Sequence, residues 1–492
     1  MLNINNFDNR TNEKRLGIIL FIIGIIFLLI TTYIGLTKIG LWYDELYSIA
    51  FAQMSISDML EIGAKDVHPI LYYLIFKLFI KIFTFIDIGV IGKIVSLIPI
   101  YLIGLLSMTK VKKNFGYLTA GIFFLCIASM PQLMIYSVEL RMYSWGLFFV
   151  TASLIYGYEL IKNPNLKNWA ILTILTIASA YTHYFSAVAS FCIYMLLLIY
   201  LLKNNKEQLK YWFLSAIISV MVFLPWTFIV LNQMAIYENG FWIKPITINT
   251  IISYIYFVLS PATFFIQANE LVSPTILGTI ILLMFLYLIY KVRDKFATTS
   301  IITFILVPII GVLLSILIQP CFHHRFLIPS VGCLWLGFSI LLAKIYENKK
   351  LFYIFLAIIL IVGIVGCVNF IDIQTQDAID TQAEMASLNE VLGSGNIIIV
   401  DFPPIYFELQ GYLVKDNHYL CFIDDVGLHI KETLNDPGIK AEINSGSEVF
   451  YVDGGYENID DVKAAGFSVQ EIKFTQTLKG NTFKIYKITA HV

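Results

Sequence analysis

Long apolar runs separated by short polar segments fill the first 370 residues of the chain. An apolar helix of about 20 residues crosses the hydrocarbon core of a bilayer, which is ~30 Å thick. The run 168–202 is too long for one such helix, so we divide it into two short spans that meet near His183. The pattern then predicts eleven transmembrane helices: these two within 168–202, and nine more near residues 16–36, 88–109, 116–135, 142–161, 211–231, 273–290, 298–318, 326–343 and 351–370.

The apolar run 70–83 departs from this pattern. It is shorter than the others, and it carries Lys77 and Lys81 one helical turn apart. A short apolar helix with a basic stripe lies in the membrane interface and does not cross the bilayer. The pattern therefore predicts a first outer loop over about residues 37–87 that contains an interfacial helix over 70–83.

The basic loops define the orientation of the chain. With residues 70–83 kept out of the membrane core, five lysine- and arginine-rich loops fall on the same side as the N-terminus. Such loops are retained in the cytoplasm, so we expect a cytoplasmic N-terminus and, after eleven crossings, an extracytoplasmic C-terminal part. The five loops are 110–113, 162–167, 203–210, 291–295 and 344–350.

The composition changes at about Asp372 from apolar to polar, which divides the chain into a membrane domain, 1–371, and a second domain, 372–492. Alternating apolar and polar residues in the second domain are typical of short strands. We expect a small α/β domain outside the membrane, with strands near 396–401, 418–424, 448–453 and 482–489 and a helix near 459–465.

Composition places the chain in a bilayer. Hydrophobic residues make up 58% of the 492 residues and charged residues 14%, against about half and about a quarter in soluble domains. The net charge of −1 offers no attraction to nucleic acid, so the predicted partner is the lipid bilayer. The six cysteines lack the short paired spacing of a zinc site or a disulfide framework.

The predicted outer loops contain most of the unusual polar residues. Asp44 and Glu45 follow the first span and are flanked by aromatic residues typical of the headgroup level. A solvated acidic pair at the interface is one interpretation. The other is a general base, because a carboxylate at the membrane surface can accept the proton of a hydroxyl that attacks a sugar.

Asp66 and His68 precede the interfacial helix. Asp66 has the residue type that caps a helix N-terminus. The pair could also bind an acceptor or a divalent metal, but two ligands are a weak indication of a metal site. Metal dependence stays open at this point, and no other cofactor is indicated.

Arg141 and Arg325 stand at the outer ends of predicted spans. Each could extend to the interface as an isolated cation. A guanidinium is also the preferred group for binding phosphate, because its planar fork matches two phosphate oxygens. Lys93, inside the first turns of its helix, could join them. His183 is either a buried interfacial histidine or a further site residue.

Taken in order, these residues resemble the GT-C superfamily of glycosyltransferases that use lipid-linked sugars, in particular the branch of protein O-mannosyltransferases and bacterial aminoarabinose transferases. The resemblance covers about residues 16–345. It rests on Asp44-Glu45 and Ser48 after the first span, the segment Asp66-Val67-His68-Pro69-Ile70-Leu71-Tyr72-Tyr73, the turn Glu139-Leu140-Arg141-Met142-Tyr143, His183-Tyr184, and Arg325 before a span that contains Pro329.

The resemblance implies a GT-C-like fold and an inverting transfer from a polyprenyl-phosphate sugar to a lipid, glycan or protein acceptor. It implies that Asp44 is the catalytic base, and the sequence alone leaves its neighbour Glu45 as a second candidate. The chain departs from the family pattern in having one proline after His68 where two are usual, and Lys93 where an arginine is common. The implied substrate-binding residues are Asp66, His68, Lys93, Glu139, Arg141, Tyr143, His183 and Arg325.

A membrane transporter or lipid flippase is the alternative function. Such a protein places ionisable groups near the bilayer midplane, in broken helices from two related halves. In this sequence most charges lie close to one predicted surface, and no half-repeat is visible. The pattern therefore favours the glycosyltransferase.

Overall fold

The fold is known from a computed structural model that describes residues 4–236, 243–259, 272–423, 425–455 and 459–490. The chain forms two compact units. The first comprises residues 1–37 and 51–371, and the second comprises residues 38–50 and 372–492. The division at residues 371 and 372 coincides with the predicted change of composition. The short segment 38–50 of the first outer loop groups with the C-terminal residues.

Helices dominate the chain up to residue 392. In chain order they are α1 (Ile4–Thr37), α2 (Tyr43–Gln53), α3 (Ile56–Gly63), α4 (Leu71–Ile82), α5 (Ile88–Leu106), α6 (Lys112–Ser129), α7 (Pro131–Val138), α8 (Tyr143–Lys162), α9 (Leu166–Thr182), α10 (Tyr184–Asn204), α11 (Leu209–Ile236), α12 (Ile248–Leu259), α13 (Val272–Val292), α14 (Lys295–Leu317), α15 (Ile328–Lys344) and α16 (Lys349–Leu392).

A helix lies at each of the eleven predicted transmembrane positions: α1, α5, α6, α8, α9, α10, α11, α13, α14, α15 and α16. Among the described residues, eight helical runs are long and apolar enough to cross a membrane. One of these, 88–129, contains both α5 and α6. The chain is therefore a multi-pass membrane protein, and the predicted fold class is confirmed in its membrane part.

The run 88–129 folds back on itself at Gly116. The φ of Gly116 is +89°, a conformation that glycine adopts without steric cost. The hydroxyl of Ser107 donates to the carbonyl of Ala120 at 2.7 Å, whereas residues 13 apart in a straight helix lie about 20 Å apart. The predicted span 116–135 also ends earlier than expected. Its helix α6 ends at Ser129, and Pro131 begins the separate helix α7.

Two further features pack the membrane unit. A Cβ at Gly121 would collide with the backbone of Gly17, so α1 and α6 cross with their backbones in contact. Small residues at helix crossings are typical of membrane proteins, where close approach replaces hydrophobic driving force. α15 is buried along almost all of its length, and it packs against α6, α8 and α14.

The predicted interfacial helix is α4, whose 12 residues cover about 18 Å and are too few to cross a bilayer. Of the two lysines of the predicted basic stripe, Lys77 contacts other parts of the protein. Its ammonium donates to the carbonyl of Met54 and, at 3.2 Å, to that of Ala52. Lys77 therefore satisfies carbonyl groups at the end of α2, whereas Lys81 is exposed.

The C-terminal part contains a five-stranded mixed sheet. The strand order is β2-β1-β3-β5-β4, with β1 parallel to β2 and β3, and with β5 antiparallel to β3 and β4. Four of the strands and one helix lie at the predicted places, whereas β4 and three helices were not predicted. The elements are β1 (Ile397–Val400), α17 (Pro403–Tyr412), β2 (His418–Cys421), α18 (Val426–Asn435), α19 (Pro437–Asn444), β3 (Val449–Asp453), α20 (Ile459–Ala464), β4 (Phe467–Leu478) and β5 (Asn481–Ala490).

Helices cover both faces of this sheet. Side chains alternate between the two faces of a strand, and in β1 Ile398 and Val400 pack with Leu409 of α17 and Leu388 near the end of α16. On the opposite face Ile399 packs with residues of α18, α19 and α20. Because both faces are buried, β1 is apolar throughout. The α/β architecture predicted for this domain is confirmed.

Glu408 of α17 is a buried carboxyl in this domain. Both of its carboxyl oxygens accept from the Asn481 amide, at 3.0 and 2.9 Å. Burial raises the pKa of Glu408 to about 7, although Asn481 and the nearby Lys479 ammonium oppose the shift. Its folded pKa therefore exceeds the ordinary value of 4.5.

This shift predicts a pH-dependent cost to stability. Because the folded state binds the Glu408 proton more tightly, the stability contributed by this group falls as pH rises from about 4.5 to about 7. Relative to wild type, Glu408→Gln should gain about 2 kcal/mol between about pH 5 and about pH 8. Thermal unfolding across this range measures the difference. The exposed Glu390 supplies a control, because Glu390→Gln should show no such trend.

Candidate functional site

Four breaks between helices of the first unit carry the polar residues singled out in the sequence. Asp66 and His68 precede α4, Arg141 precedes α8, His183 separates α9 from α10, and Arg325 precedes α15. These residues lie where helices end, and none lies in the middle of an apolar span. The contacts described below bring them into one cluster.

Arg141 stands at the centre of this cluster and is only 2% exposed. One guanidinium nitrogen lies 3.4 Å from the Tyr73 hydroxyl oxygen, to which it donates, and another lies 3.3 Å from Nε2 of His68. An arginine always donates, so Nε2 of His68 is the acceptor in this contact. Two of its contacts thus hold the guanidinium in a fixed orientation.

The second ring nitrogen of His68 lies near Asp66. Nδ1 of His68 lies 3.6 Å from a carboxyl oxygen of Asp66. Burial by itself would raise the pKa of Asp66, but His68, the Val67 backbone and Arg141 outweigh it and hold the pKa below its ordinary value. Asp66 is therefore an ionised carboxylate at neutral pH, and it orients the His68 ring towards Arg141.

His183 lies in extended backbone between two helices and caps the second one. Its Nδ1 accepts from the backbone N–H of Phe185 at 3.1 Å, so the proton of the neutral ring is on Nε2. Burial lowers the pKa of His183 well below its ordinary value, and electrostatic interactions with His68, Arg325 and Arg141 lower it further. His183 is therefore a neutral hydrogen-bond donor.

Tyr143 and Arg325 complete the cluster. The Arg325 guanidinium lies 5.9 Å from the centre of the Tyr143 ring, within the range of a cation–π contact. The Tyr143 ring centre lies 5.6 Å from that of His183. Burial, followed by His324 and Arg325, lowers the pKa of the adjacent His323 to about 2. Arg325 thus supplies a permanent positive charge, whereas His323 is neutral.

Glu139 and Lys93 lie near this cluster. The backbone N–H of Arg141 donates to the Glu139 carbonyl at 2.7 Å, which makes Glu139 part of the turn that presents Arg141. Lys93 is buried, and a Cβ at its neighbour Gly92 would collide with Leu140. The start of α5 therefore packs directly against this turn.

A cavity of about 250 Å³ adjoins the cluster. His68 and His183 line it together with mainly apolar side chains that include Val67, Phe185 and Phe326. An apolar cavity with a few polar groups is typical of a small-molecule site. Cationic side chains contact these lining residues or are their neighbours in sequence. The cavity therefore suits an amphiphile that has an anionic group.

Gln233 of α11 is a lining residue that the sequence analysis missed. Its amide accepts from the Tyr184 hydroxyl at 2.6 Å and donates to the Gly63 carbonyl at 3.0 Å. The Trp226 indole donates to the same hydroxyl at 3.2 Å. The amide pair Asn232-Gln233 near the end of an apolar helix was the available signal for Gln233, because a buried amide needs partners.

Asp44 and Glu45 belong to the second unit, in the first turn of α2. The Glu45 carboxylate accepts from the backbone N–H of Trp42 at 3.2 Å, the arrangement by which a glutamate at the third helical position closes a capping box. Capping thus gives Glu45 a structural role. Asp44 is half-buried, and its backbone carbonyl accepts from the Ser48 hydroxyl at 2.7 Å.

A metal site finds no support in the described residues. They contain no group of three or more histidine, cysteine, aspartate or glutamate side chains placed to hold an ion. Asp66 and His68 are near each other, but His68 also contacts the cationic Arg141, and this positive charge disfavours a bound cation.

Comparison with known proteins addresses the fold. No protein-family model and no curated protein matches the sequence. The structure of the Archaeoglobus fulgidus oligosaccharyltransferase superposes with a TM-score of 0.44 at 11% identity, over 94% of this chain and 74% of that one.

A higher score comes from ArnT of Cupriavidus metallidurans, an aminoarabinose transferase. Its apo structure superposes with a TM-score of 0.59 at 10% identity, over 95% of this chain and 97% of that one. Its structure bound to undecaprenyl phosphate gives 0.56 at 12% identity over the same shares. The chain therefore resembles ArnT in fold over nearly its whole length, and the predicted GT-C-like architecture is confirmed.

Proposed function

We propose that this protein transfers a sugar from a polyprenyl-phosphate donor to a hydroxyl or amine acceptor, with inversion, on the outer face of the membrane. The observation that carries the proposal is the cluster of Arg141, Arg325, His68 and His183 beside an apolar cavity. A phosphate attached to a long isoprenoid needs both features, cations for its headgroup and apolar surface for its chain. The acceptor is a lipid, a glycan or a protein.

The cations of the cluster serve the leaving group. When the bond between sugar and phosphate breaks, negative charge accumulates on the phosphate oxygen, and fixed cations stabilise that charge. Arg141 and Arg325 are permanently charged, and the neutral His183 can donate through Nε2. Asp66, His68 and Tyr73 hold Arg141 in place, Glu139 and Tyr143 shape its surroundings, and Lys93 adds a cation.

The transfer needs one base and no separate general acid. The acceptor oxygen attacks the anomeric carbon, and its proton passes to the carboxylate of Asp44. The bond from the anomeric carbon to the phosphate oxygen breaks with its electron pair on that oxygen, which yields polyprenyl phosphate. Attack opposite to the departing phosphate inverts the anomeric centre. Phosphate leaves without protonation, unlike the alcohol in sugar hydrolysis.

The fold supports this proposal. ArnT, which the chain resembles over nearly its whole length, has been solved with undecaprenyl phosphate bound. Undecaprenyl phosphate is the kind of product that the proposed reaction releases. The alternative of a transporter or flippase receives less support, because the clustered charges lie at helix ends and not in helices broken near their middle.

Purified protein in lipid nanodiscs tests the proposal directly. Incubation with radiolabelled polyprenyl-phosphate sugars and a membrane extract as acceptor should release polyprenyl phosphate and label an acceptor. A transporter or flippase would leave the donor intact and would move it between leaflets of reconstituted vesicles. Donor translocation without consumption would therefore exclude the proposed transfer.

We also propose a cytoplasmic N-terminus and an extracytoplasmic C-terminal domain, on the basis of the basic loops. In intact cells, single cysteines at the exposed positions Ser57 and Lys431 should react with an impermeant thiol reagent, whereas one at Lys113 should not. Labelling after permeabilisation is the control for Lys113. Labelling of Lys113→Cys from outside would reverse the proposed orientation.

A further inference from the structure

Contacts within the second unit hold the segment 38–50, which carries Asp44, from several sides. The hydroxyl of Tyr412 in α17 donates to the Leu41 carbonyl at 2.6 Å and also accepts from the Leu41 N–H. A single tyrosine hydroxyl thus satisfies both backbone groups of one residue. Burial is the first cause of a raised pKa of Tyr412, so its hydroxyl keeps the proton that it donates.

Three other residues of α17 contact the same segment. Phe407 packs against the rings of Tyr43 and Tyr47, with ring centres 6.0 and 5.6 Å apart. Glu408 accepts from the backbone N–H of Tyr43. Gly411 lies so close to Leu46 that a Cβ there would collide with the leucine side chain.

These four residues form one helix face, because positions four apart in a helix point in the same direction. We call Phe407, Glu408, Gly411 and Tyr412 the α17 face. A second contact lies away from it. Gly40 packs against the ion pair of Asp377 in α16 and Lys479 in the turn between β4 and β5, and this leaves no space for a Cβ at Gly40.

We infer that the α17 face is a positioning element, which fixes the first turn of α2 and thereby the direction of the Asp44 carboxylate. The inference rests on the proposed role of Asp44 as the base. The contacts flank Asp44 on both sides in sequence, at Leu41 and Tyr43 before it and at Leu46 and Tyr47 after it. This assigns the C-terminal domain a part in catalysis, although none of its residues need touch the substrate.

A positioned base matters because the rate of a proton transfer depends on geometry, and small displacements reduce it strongly. Loosening the segment should therefore lower kcat. It should leave the KM for the lipid donor unchanged, because the proposed phosphate ligands Arg141 and Arg325 are not part of the segment. A general loss of folded protein would instead reduce the amount of active enzyme, which active-site titration measures separately.

Tyr412→Phe is the sharpest test, since it removes one hydroxyl and retains the ring. Amide hydrogen exchange of residues 38–50 in the full-length protein should accelerate by roughly tenfold, because two hydrogen bonds of ordinary strength are lost. The value of kcat should fall by a similar factor, about tenfold, with the donor KM unchanged.

Tyr419→Phe is the matched control. Its hydroxyl donates to the Val414 carbonyl at 3.1 Å and accepts from the Asn417 amide at 3.4 Å, and both of these partners lie outside the segment 38–50. Tyr419→Phe should therefore retain both the exchange rate of 38–50 and kcat. Equal effects of Tyr412→Phe and Tyr419→Phe would overturn the inference, since general destabilisation of the domain would explain both.

Gly40→Ala tests the second contact, because its Cβ would collide with the Asp377 carboxylate, so that the segment and the Asp377–Lys479 pair cannot keep their present contact. It should reproduce faster exchange and lower kcat while α17 stays intact. Faster exchange with full kcat, or unchanged exchange, in both Tyr412→Phe and Gly40→Ala would overturn the positioning role. If Asp44→Asn retains full activity, Asp44 is not the base and the proposed function loses this residue. Hydrogen exchange of residues 38–50 still determines separately whether the α17 face holds the segment.

Discussion

Replacing Asp44 with asparagine is expected to lower the rate of sugar transfer by roughly 10²- to 10⁴-fold, the usual contribution of a positioned general base. The amide is nearly isosteric with the carboxylate, so shape and membrane insertion should be retained, but it cannot accept the acceptor's proton. Donor binding should also be retained, because the proposed phosphate ligands are elsewhere in the chain. Single-turnover transfer and equilibrium binding of polyprenyl phosphate measure the two quantities separately.

Glu45→Gln is the control for this experiment, since either neighbouring carboxylate could be the base on sequence alone. The Glu45 carboxylate caps α2 by accepting from the Trp42 N–H, and a glutamine carbonyl can accept the same hydrogen bond. Glu45→Gln should therefore transfer sugar at nearly the wild-type rate. An inactive Glu45→Gln beside an active Asp44→Asn would move the base to Glu45, and activity in both would remove it from this segment.

The membrane fold could be predicted from the sequence because its physics is local. A span needs about 20 apolar residues regardless of its neighbours, so every predicted crossing coincides with a helix. The prediction that residues 70–83 form a helix too short to cross the bilayer followed from the length of that run. The role of Lys77 could not be predicted, since the carbonyls of Ala52 and Met54 that it satisfies are more than 20 residues away in sequence.

The sequence predicted which residues form the candidate site but not which of them contact one another. Asp66, His68, Arg141, His183 and Arg325 stood out because charged and imidazole groups are rare beside apolar spans. Their mutual contacts depend on the packing of helices that are distant in the chain. The neutral state of His183 follows from its burial, which no local pattern specifies.

The C-terminal domain shows the same limit. Its buried parallel strands were visible as short apolar runs, whereas β4 has a mixed sequence and pairs with β5 through two irregularities in register. The contact of Tyr412 with Leu41 joins residues 371 positions apart. The association of 38–50 with this domain therefore could not be derived from periodicity.

Arg325→Ala is expected to weaken donor binding and to slow transfer by roughly 10²- to 10³-fold, the range for removing one preorganised group that stabilises developing charge. The phosphate is present in the ground state, so the affinity for the donor should decrease. The phosphate gains charge as its bond to the sugar breaks, so the transfer rate should decrease by a larger factor. Arg325→Lys should recover part of the rate, because it keeps the charge but loses the planar fork.

Arg293 offers a matched control for this variant. Its guanidinium also lies over a tyrosine, 5.4 Å from the ring centre of Tyr290, but it is exposed and belongs to a basic loop that we place in the cytoplasm. Arg293→Ala should bind polyprenyl phosphate and transfer sugar as wild type does. If Arg325→Ala instead binds the donor normally and loses only rate, Arg325 does not hold the ground-state phosphate, and Arg141 becomes the principal phosphate ligand.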